Sequence, residues 1–141
     1  MTTASSKLSL ELESTDMKLD FGTEYMIVEV IDGVGWVTFN NPERRNAVKF
    51  EMWEAIPKIF DTLVAQNDVR CIVMKGAGDK SFVAGADISE FKEKRSTPEQ
   101  VTLYNATSAA AYAAIENCEK PLIAMIRGDR KSTRLNSSHL V

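Results

Sequence analysis

The residues best suited to chemistry lie between Ala84 and Glu90, where small residues are followed by the pattern of a helix start. Asp87 and Glu90 have the spacing of a capping box, in which each side chain accepts a hydrogen bond from a backbone N–H. The small residues allow a ligand to approach the backbone closely. The N–H groups of Ala86 and Asp87 would then point outward, with the helix dipole behind them. This pattern predicts half of an oxyanion hole, with a tightly packed turn as the simpler alternative.

Other groups of reactive residues are weaker candidates. Residues 79–81 read Asp-Lys-Ser, but a P-loop needs glycine directly before its lysine and again five residues earlier, where this chain has Asp79 and Met74. Cys71 and Cys118 are far apart and lack the spacing of a metal or redox site. We therefore expect two reduced thiols, no metal site and no bound cofactor.

Composition and charge restrict the class of protein. The 141 residues are 44% hydrophobic, which is enough for one buried core. A net charge of -3 and a pI near 5.2 indicate no basic surface for nucleic acid. No apolar run approaches the ~20 residues that span a bilayer, and the N-terminus lacks the features of a signal peptide. We expect a cytoplasmic protein without a nucleic-acid or membrane partner.

The first elements predict a hairpin followed by a helix. Two β-rich runs, residues 26–31 and 34–39, flank Asp32-Gly33, the strongest short hairpin signal. Apolar residues then recur at helical spacing from Phe50 to Gln66. Pro57 lies inside this helix and should kink it, with a break as the alternative.

The later elements complete an α/β pattern. Residues 71–76 form a short buried strand, and residues 97–100 read Thr-Pro-Glu-Gln, the start of a helix that should end near Asn117. Another strand follows at residues 122–126. Strands that alternate with helices favour an α/β core. Residues 1–24, rich in Ser, Thr, Glu and Asp, read as a flexible leader.

Three motifs carry a family resemblance. They are Asn41-Pro42-Glu43-Arg44-Arg45-Asn46-Ala47-Val48 after a Trp-Val-Thr-Phe strand, Phe82-Val83-Ala84-Gly85-Ala86-Asp87-Ile88, and Lys120-Pro121-Leu122-Ile123-Ala124-Met125-Ile126-Arg127-Gly128. On these motifs, residues 25–128 resemble the N-terminal half of the enoyl-CoA hydratase/isomerase, or crotonase, superfamily. The resemblance implies the N-terminal part of a crotonase-like ββα spiral, truncated, from a parent that forms homotrimers or hexamers.

The resemblance also implies a reaction and a site. The parent enzyme would add water to 2-enoyl-CoA thioesters in fatty acid metabolism, with coenzyme A as part of the substrate. One of its two oxyanion N–H groups would be that of Ala86. The residues implied to receive the acyl-CoA are Arg45, Ala47, Val48, Ala84, Gly85, Ala86, Asp87 and Ile88. Two alternatives remain for Arg44 and Arg45: contact with the CoA phosphates, or exposure to solvent in a loop without ligand contact. Isomerase, dehydratase or hydrolase activity of the same superfamily remains an alternative.

The resemblance ends at Gly128. The family continues there into a glycine-rich turn that donates the second N–H and carries a catalytic glutamate, with a second glutamate later. This chain instead reads Asp-Arg-Lys-Ser-Thr-Arg-Leu-Asn-Ser-Ser-His from residue 129, which resembles a translated sequencing adapter. We therefore expect residues 129–141 to be an artefactual tail. Glu90 should act as a cap, and Glu116 and Glu119 should be solvated, so we expect an inactive chain.

Two further interpretations remain open from the sequence. The chain could be a non-catalytic module that binds acyl-CoA or a protein. Alternatively, residues 25–128 could fail to fold alone, because the strand at residues 122–126 would present an unpaired edge.

Overall fold

The computed structural model describes residues 16–127, which form one five-stranded sheet with helices. The strands are β1 (Met17–Leu19), β2 (Met26–Ile31), β3 (Val34–Phe39), β4 (Cys71–Gly76) and β5 (Leu122–Met125). The helices are α1 (Phe50–Ala65), α2 (Phe91–Lys94) and α3 (Pro98–Glu116), with 3-10 turns at Pro42–Arg44 and Ile88–Glu90. The strands lie in the order β1-β2-β3-β4-β5. The mixed α/β arrangement confirms the predicted fold class.

The predicted hairpin joins β2 to β3. Ile31 pairs with Val34 in an antiparallel register, so the connection has only two residues. Asp32 has φ 52° and Gly33 has φ 79°. Left-handed conformations at both positions give the turn whose twist matches paired strands, and Asp-Gly tolerates them.

The last two strand pairs are parallel and require helical crossovers. β3 pairs with β4, and β4 pairs with β5, both in parallel. α1 connects the first pair and packs directly on the sheet. Gly35 permits this contact, because a Cβ there would lie 3.1 Å from a methyl group of Leu63. The buried core therefore forms between this face of the sheet and the helices.

Helix α1 continues through Pro57. Proline removes one intrahelical hydrogen bond and was expected to kink or break the helix. Ile56, Ile59 and Phe60 are nevertheless buried on both sides of it. The alternative of a break is wrong, because the apolar residues on either side of the proline pack into one core.

The first described element differs from the prediction. The leader was expected to reach residue 24, but Met17–Leu19 forms β1 and pairs antiparallel with β2, with Met17 opposite Val30. An edge strand gains backbone hydrogen bonds from its neighbour, and the side-chain pattern gives no sign of such bonds. The predicted tail at residues 129–141 and the first 15 residues lie outside the described residues.

Within residues 16–127, no helix is both long enough and apolar enough to cross a bilayer.

Candidate functional site

The backbone of Ala86 is held beside Val48 by a single parallel β-bridge. The N–H of Val48 donates to the carbonyl of Gly85 at 2.7 Å, and the N–H of Asp87 donates to the carbonyl of Val48 at 2.9 Å. In this geometry the residue between the two bonded positions directs its own N–H and C=O to the opposite side. The N–H of Ala86 therefore points away from Val48.

The N–H of Ala86 is free within the part of the chain that the structure describes. Ala86 is exposed, and its N–H donates to no acceptor among residues 16–127. The corresponding prediction for Asp87 is wrong, because its N–H is bound to Val48. Only one of the two expected outward N–H groups is thus available to a ligand.

Gly85 sets the direction of the chain just before this N–H. It has φ +104°, a conformation that residues with a side chain rarely adopt. A Cβ at this position would meet no other atom within 4 Å, so the requirement for glycine comes from the backbone alone.

The side chain of Asp87 turns into the protein. Its Oδ1 accepts hydrogen bonds from the Ser89 N–H at 3.0 Å and the Ser89 hydroxyl at 2.5 Å, which confirms the predicted cap. Its Oδ2 accepts from the Asn41 amide at 3.4 Å. Burial alone would raise the pKa of Asp87, but the bonds from Ser89 and Asn41 and the charge of Arg44 outweigh it and lower that pKa.

Glu90 has a different role from the one predicted. A capping box would bring its carboxylate to the N–H of Asp87, but that donor is already bound to Val48. Glu90 Oε1 instead accepts a hydrogen bond of 2.6 Å from the N–H of Phe50, the first residue of α1. The reciprocal half of the capping box is wrong because a neighbouring helix offers an unpaired donor.

Two buried asparagines hold the surrounding loops together, and sequence reasoning did not assign them this role. Asn46 donates from its amide to the carbonyls of Ala77 and Ser81, both at 3.0 Å, and accepts from the N–H of Asn41 at 3.0 Å. Asn41 donates from its amide to the carbonyl of Ala47 at 2.9 Å. The only sequence signal was two asparagines in a polar loop with proline, which does not identify their partners.

The residues expected to contact acyl-CoA fall on two adjacent segments, 45–48 and 84–88, which meet at the Val48–Ala86 bridge. Arg44, Arg45, Ala84, Ala86 and Ile88 are exposed, Gly85 is half-buried, and Ala47, Val48 and Asp87 are buried. The side chains of the buried residues face the core, so a ligand would reach only their backbone atoms. Whether these segments receive acyl-CoA stays a prediction.

The inner side of the same loop borders an apolar cavity of about 40 Å³. Gly85 and Val83 line it together with Trp53 of α1 and Ile115 of α3. Over residues 16–127, no group of three or more His, Cys, Asp or Glu side chains could hold a metal ion. The site offers a backbone hydrogen-bond donor at Ala86, directly after Gly85, which lines the apolar cavity.

Comparisons with known proteins give the family of the chain. Residues 29–132 match the enoyl-CoA hydratase/isomerase family. The short-chain-enoyl-CoA hydratase of Clostridium acetobutylicum is 32% identical over 103 residues, covering 73% of this chain and 39% of that protein. The mitochondrial Delta(3,5)-Delta(2,4)-dienoyl-CoA isomerase of Mus musculus is 31% identical over 101 residues, covering 65% of this chain and 31% of that protein.

A solved structure gives the same result for the fold. The crystal structure of an enoyl-CoA hydratase/carnithine racemase from Magnetospirillum magneticum superposes with a TM-score of 0.71 at 32% identity. The match covers 79% of this chain and 42% of that one. The chain thus spans 31% to 42% of the length of these relatives.

Proposed function

The chain belongs to the enoyl-CoA hydratase/isomerase family, and we propose that its Ala86 N–H binds the thioester carbonyl oxygen of an acyl-CoA. The observation that carries this proposal is that Ala86 is exposed and that its N–H lacks an acceptor among residues 16–127. A preorganised N–H stabilises an oxygen on which negative charge develops, and it needs no reorganisation during the reaction.

The reaction proposed for the whole protein is addition of water to a 2-enoyl-CoA. The water oxygen forms a bond to the β-carbon, and the electrons of the double bond move onto the thioester oxygen. Protonation of the α-carbon then returns those electrons and completes the product. Ala86 would stabilise the intermediate charge, while acid/base groups would transfer the protons.

The described residues support the carbonyl-binding half of this chemistry. The carboxylates nearest to Ala86 along the chain belong to Asp87 and Glu90, and both accept hydrogen bonds from backbone N–H groups within the protein. They serve the structure of the loop, so proton transfer requires other groups. Isomerisation of an enoyl-CoA uses the same carbonyl contact and is the second candidate, favoured by the similarity to a dienoyl-CoA isomerase.

Assembly, location and metabolic role of the whole protein are also proposed. The family resemblance supports a homotrimer or hexamer of the whole protein, a cytoplasmic location and a place in fatty acid metabolism. The proposed trimer or hexamer is checked by the mass of the full-length protein in solution.

The test of the carbonyl contact compares two ligands by calorimetry. Butyryl-CoA has the thioester carbonyl, and S-butyl-CoA replaces it with a methylene. We expect the chain to prefer the thioester by about 2- to 12-fold, the range of a net hydrogen bond of 0.5–1.5 kcal/mol. Ala86→Pro, which lacks the N–H, should abolish the preference, whereas Ala86→Gly retains the donor and should keep it. Equal binding of the two ligands by the unmodified chain would overturn the proposal.

A further inference from the structure

We propose that Glu90 is a positioning residue that fixes the direction of the Ala86 N–H by joining its loop to the start of α1. This inference rests on the proposed function only for its consequence in ligand binding. The structural link itself is the 2.6 Å hydrogen bond from the Phe50 N–H to Glu90 Oε1.

The start of α1 needs an acceptor that its own sequence does not supply. The first N–H groups of a helix have no intrahelical partner, and an N-cap side-chain oxygen accepts only from the second or third of them, so the N–H of Phe50 at the first position needs an acceptor from elsewhere. The N-cap residue here is Lys49, whose side chain has no oxygen. Glu90 provides the missing acceptor from another element, and its negative charge is favourable at the positive end of the helix dipole.

This bond is the second of two attachments between the same pair of segments. The first is the bridge in which Val48 binds Gly85 and Asp87 through its backbone. The second joins Phe50, two residues after Val48, to Glu90, three residues after Asp87. The bridge holds Ala86 through its two neighbours and Asn41 holds Asp87, and the bond between Glu90 and Phe50 restrains the same segment three residues beyond Asp87, where the bridge does not reach.

The segment between the attachments has hydrogen bonds of its own. Asp87 caps the 3-10 turn Ile88–Glu90 through the Ser89 N–H and hydroxyl. Motion of Glu90 would therefore be transmitted through this turn to Asp87 and Ala86. The carboxylate of Glu90 thus acts on the ligand through the orientation of the Ala86 backbone, without touching the ligand.

The test measures the Ala86 and Phe50 amides by ¹⁵N relaxation and chemical shift in the full chain. Glu90→Ala removes the acceptor, and Glu93→Ala is the matched control, because Glu93 is an exposed α2 residue whose side chain makes no hydrogen bond within the described residues. We expect the order parameter of Ala86 to fall from about 0.85 to below about 0.6 in Glu90→Ala and to stay unchanged in the control.

A second variant keeps the test decisive if Glu90→Ala does not fold. Glu90→Gln retains a neutral acceptor of the same shape, so both amide signals should shift in it by a smaller amount and Ala86 should remain ordered. The proposal is overturned if the shift and order parameter of Ala86 in the folded Glu90 variants equal those of the Glu93 control.

Ligand binding separates this inference from the proposed function. Glu90→Ala should reduce the preference for butyryl-CoA over S-butyl-CoA at least twofold, while Glu93→Ala should leave it intact. A loss of overall stability alone would weaken both ligands equally. If the unmodified chain shows no preference, the proposed carbonyl contact fails, and the relaxation data still decide whether Glu90 orients Ala86.

Discussion

The N–H of Ala86 can bind a ligand without breaking a hydrogen bond within residues 16–127. Its N–H has no acceptor within residues 16–127, and the residues on either side use their backbone groups to hold it in place. Gly85 accepts from Val48, and Asp87 donates to the same residue. The chemistry at this site therefore depends on backbone conformation more than on the identity of a side chain.

Replacement of Gly85 by alanine tests this dependence. The φ of +104° should make Gly85→Ala destabilising by about 1 to 2 kcal/mol, although the added methyl meets no neighbour. Gly78→Ala is the matched control, because Gly78 has φ +74° and equally open surroundings. Chemical denaturation should show a similar loss of stability in both variants, but only Gly85→Ala should lower the affinity for butyryl-CoA. Equal affinities would contradict the role of Gly85.

The carboxylate of Asp87 makes the stability of the loop depend on pH. Because its pKa is lowered in the folded protein, its contribution is present above the unfolded pKa of about 3.9 and is lost as pH falls through the folded pKa. Asp87→Asn should therefore lower the free energy of unfolding at pH 7 by about 1 to 3 kcal/mol. The difference from the unmodified chain should shrink below about pH 4.

The control for this pH dependence is Asp79→Asn. Asp79 is exposed, and its side chain accepts no hydrogen bond from the described residues. Denaturation curves recorded from pH 3 to pH 7 should show little change for this variant. A pH-independent difference between Asp87→Asn and the unmodified chain would show that the charge of Asp87 is unimportant.

At the scale of elements, polar side chains hold together segments that the sheet and helices only bring near one another. Asn46 binds the turn after β4, and Glu90 binds the start of α1. Lys120 donates from its amino group to the carbonyls of Leu63 and Gln66 at the end of α1, at 3.0 and 2.5 Å. The bonds from Asn46 and to Glu90 satisfy backbone groups that the local secondary structure leaves unpaired, whereas the two carbonyls bound by Lys120 also accept from the N–H groups of Gln66 and Val69.

Asn46 should be the most sensitive of these links. Asn46→Gly keeps the left-handed conformation at φ 59° but leaves the carbonyls of Ala77 and Ser81 without their donor. Unpaired, partly buried groups of this kind should cost about 1 to 3 kcal/mol. Asn67→Gly is the comparison, since Asn67 lies in an exposed turn and its side chain makes no hydrogen bond within the described residues. Equal free energies of unfolding for the two variants would contradict this assignment.

At the scale of the molecule, the matched relatives are more than twice as long as the region they share with this chain. Residues 16–127 nevertheless form a continuous sheet with a buried core. Ile123 of β5 and Ile126 just beyond it are 52% and 43% exposed. The earlier expectation that residues 25–128 fail to fold alone stays a prediction, to be checked by circular dichroism and gel filtration.

We expect the 141-residue chain not to hydrate crotonyl-CoA above the background rate. The N–H of Ala86 is a single oxyanion donor, and the nearby carboxylates of Asp87 and Glu90 are bound to backbone N–H groups. Loss of one oxyanion donor alone costs about 10²- to 10³-fold in rate. The assay follows the absorbance of the enoyl thioester. A chain-dependent rate that disappears in Ala86→Pro would contradict this expectation.

The sequence by itself determined the local structure. The Asp-Gly hairpin, the strand Cys71–Gly76, the cap of Thr97 on α3 and the cap of Asp87 on Ser89 all follow from signals within a few residues. Such signals can be read because turn, cap and periodicity preferences act between near neighbours along the chain. The family motifs also identified Ala86 as the residue to examine.

Only the tertiary structure decided which donors remain free. The hydrogen-bonded residues Glu90 and Phe50 are 40 positions apart in the sequence, and Asn46 and Ser81 are 35 positions apart. In the Val48 bridge the N–H of Asp87 donates to the carbonyl of Val48, whereas the N–H of Ala86 has no acceptor among residues 16–127. The physical reason is that a hydrogen bond depends on distance and angle, and for residues this far apart in the chain only the packing of α1 and the loops against the sheet sets these quantities.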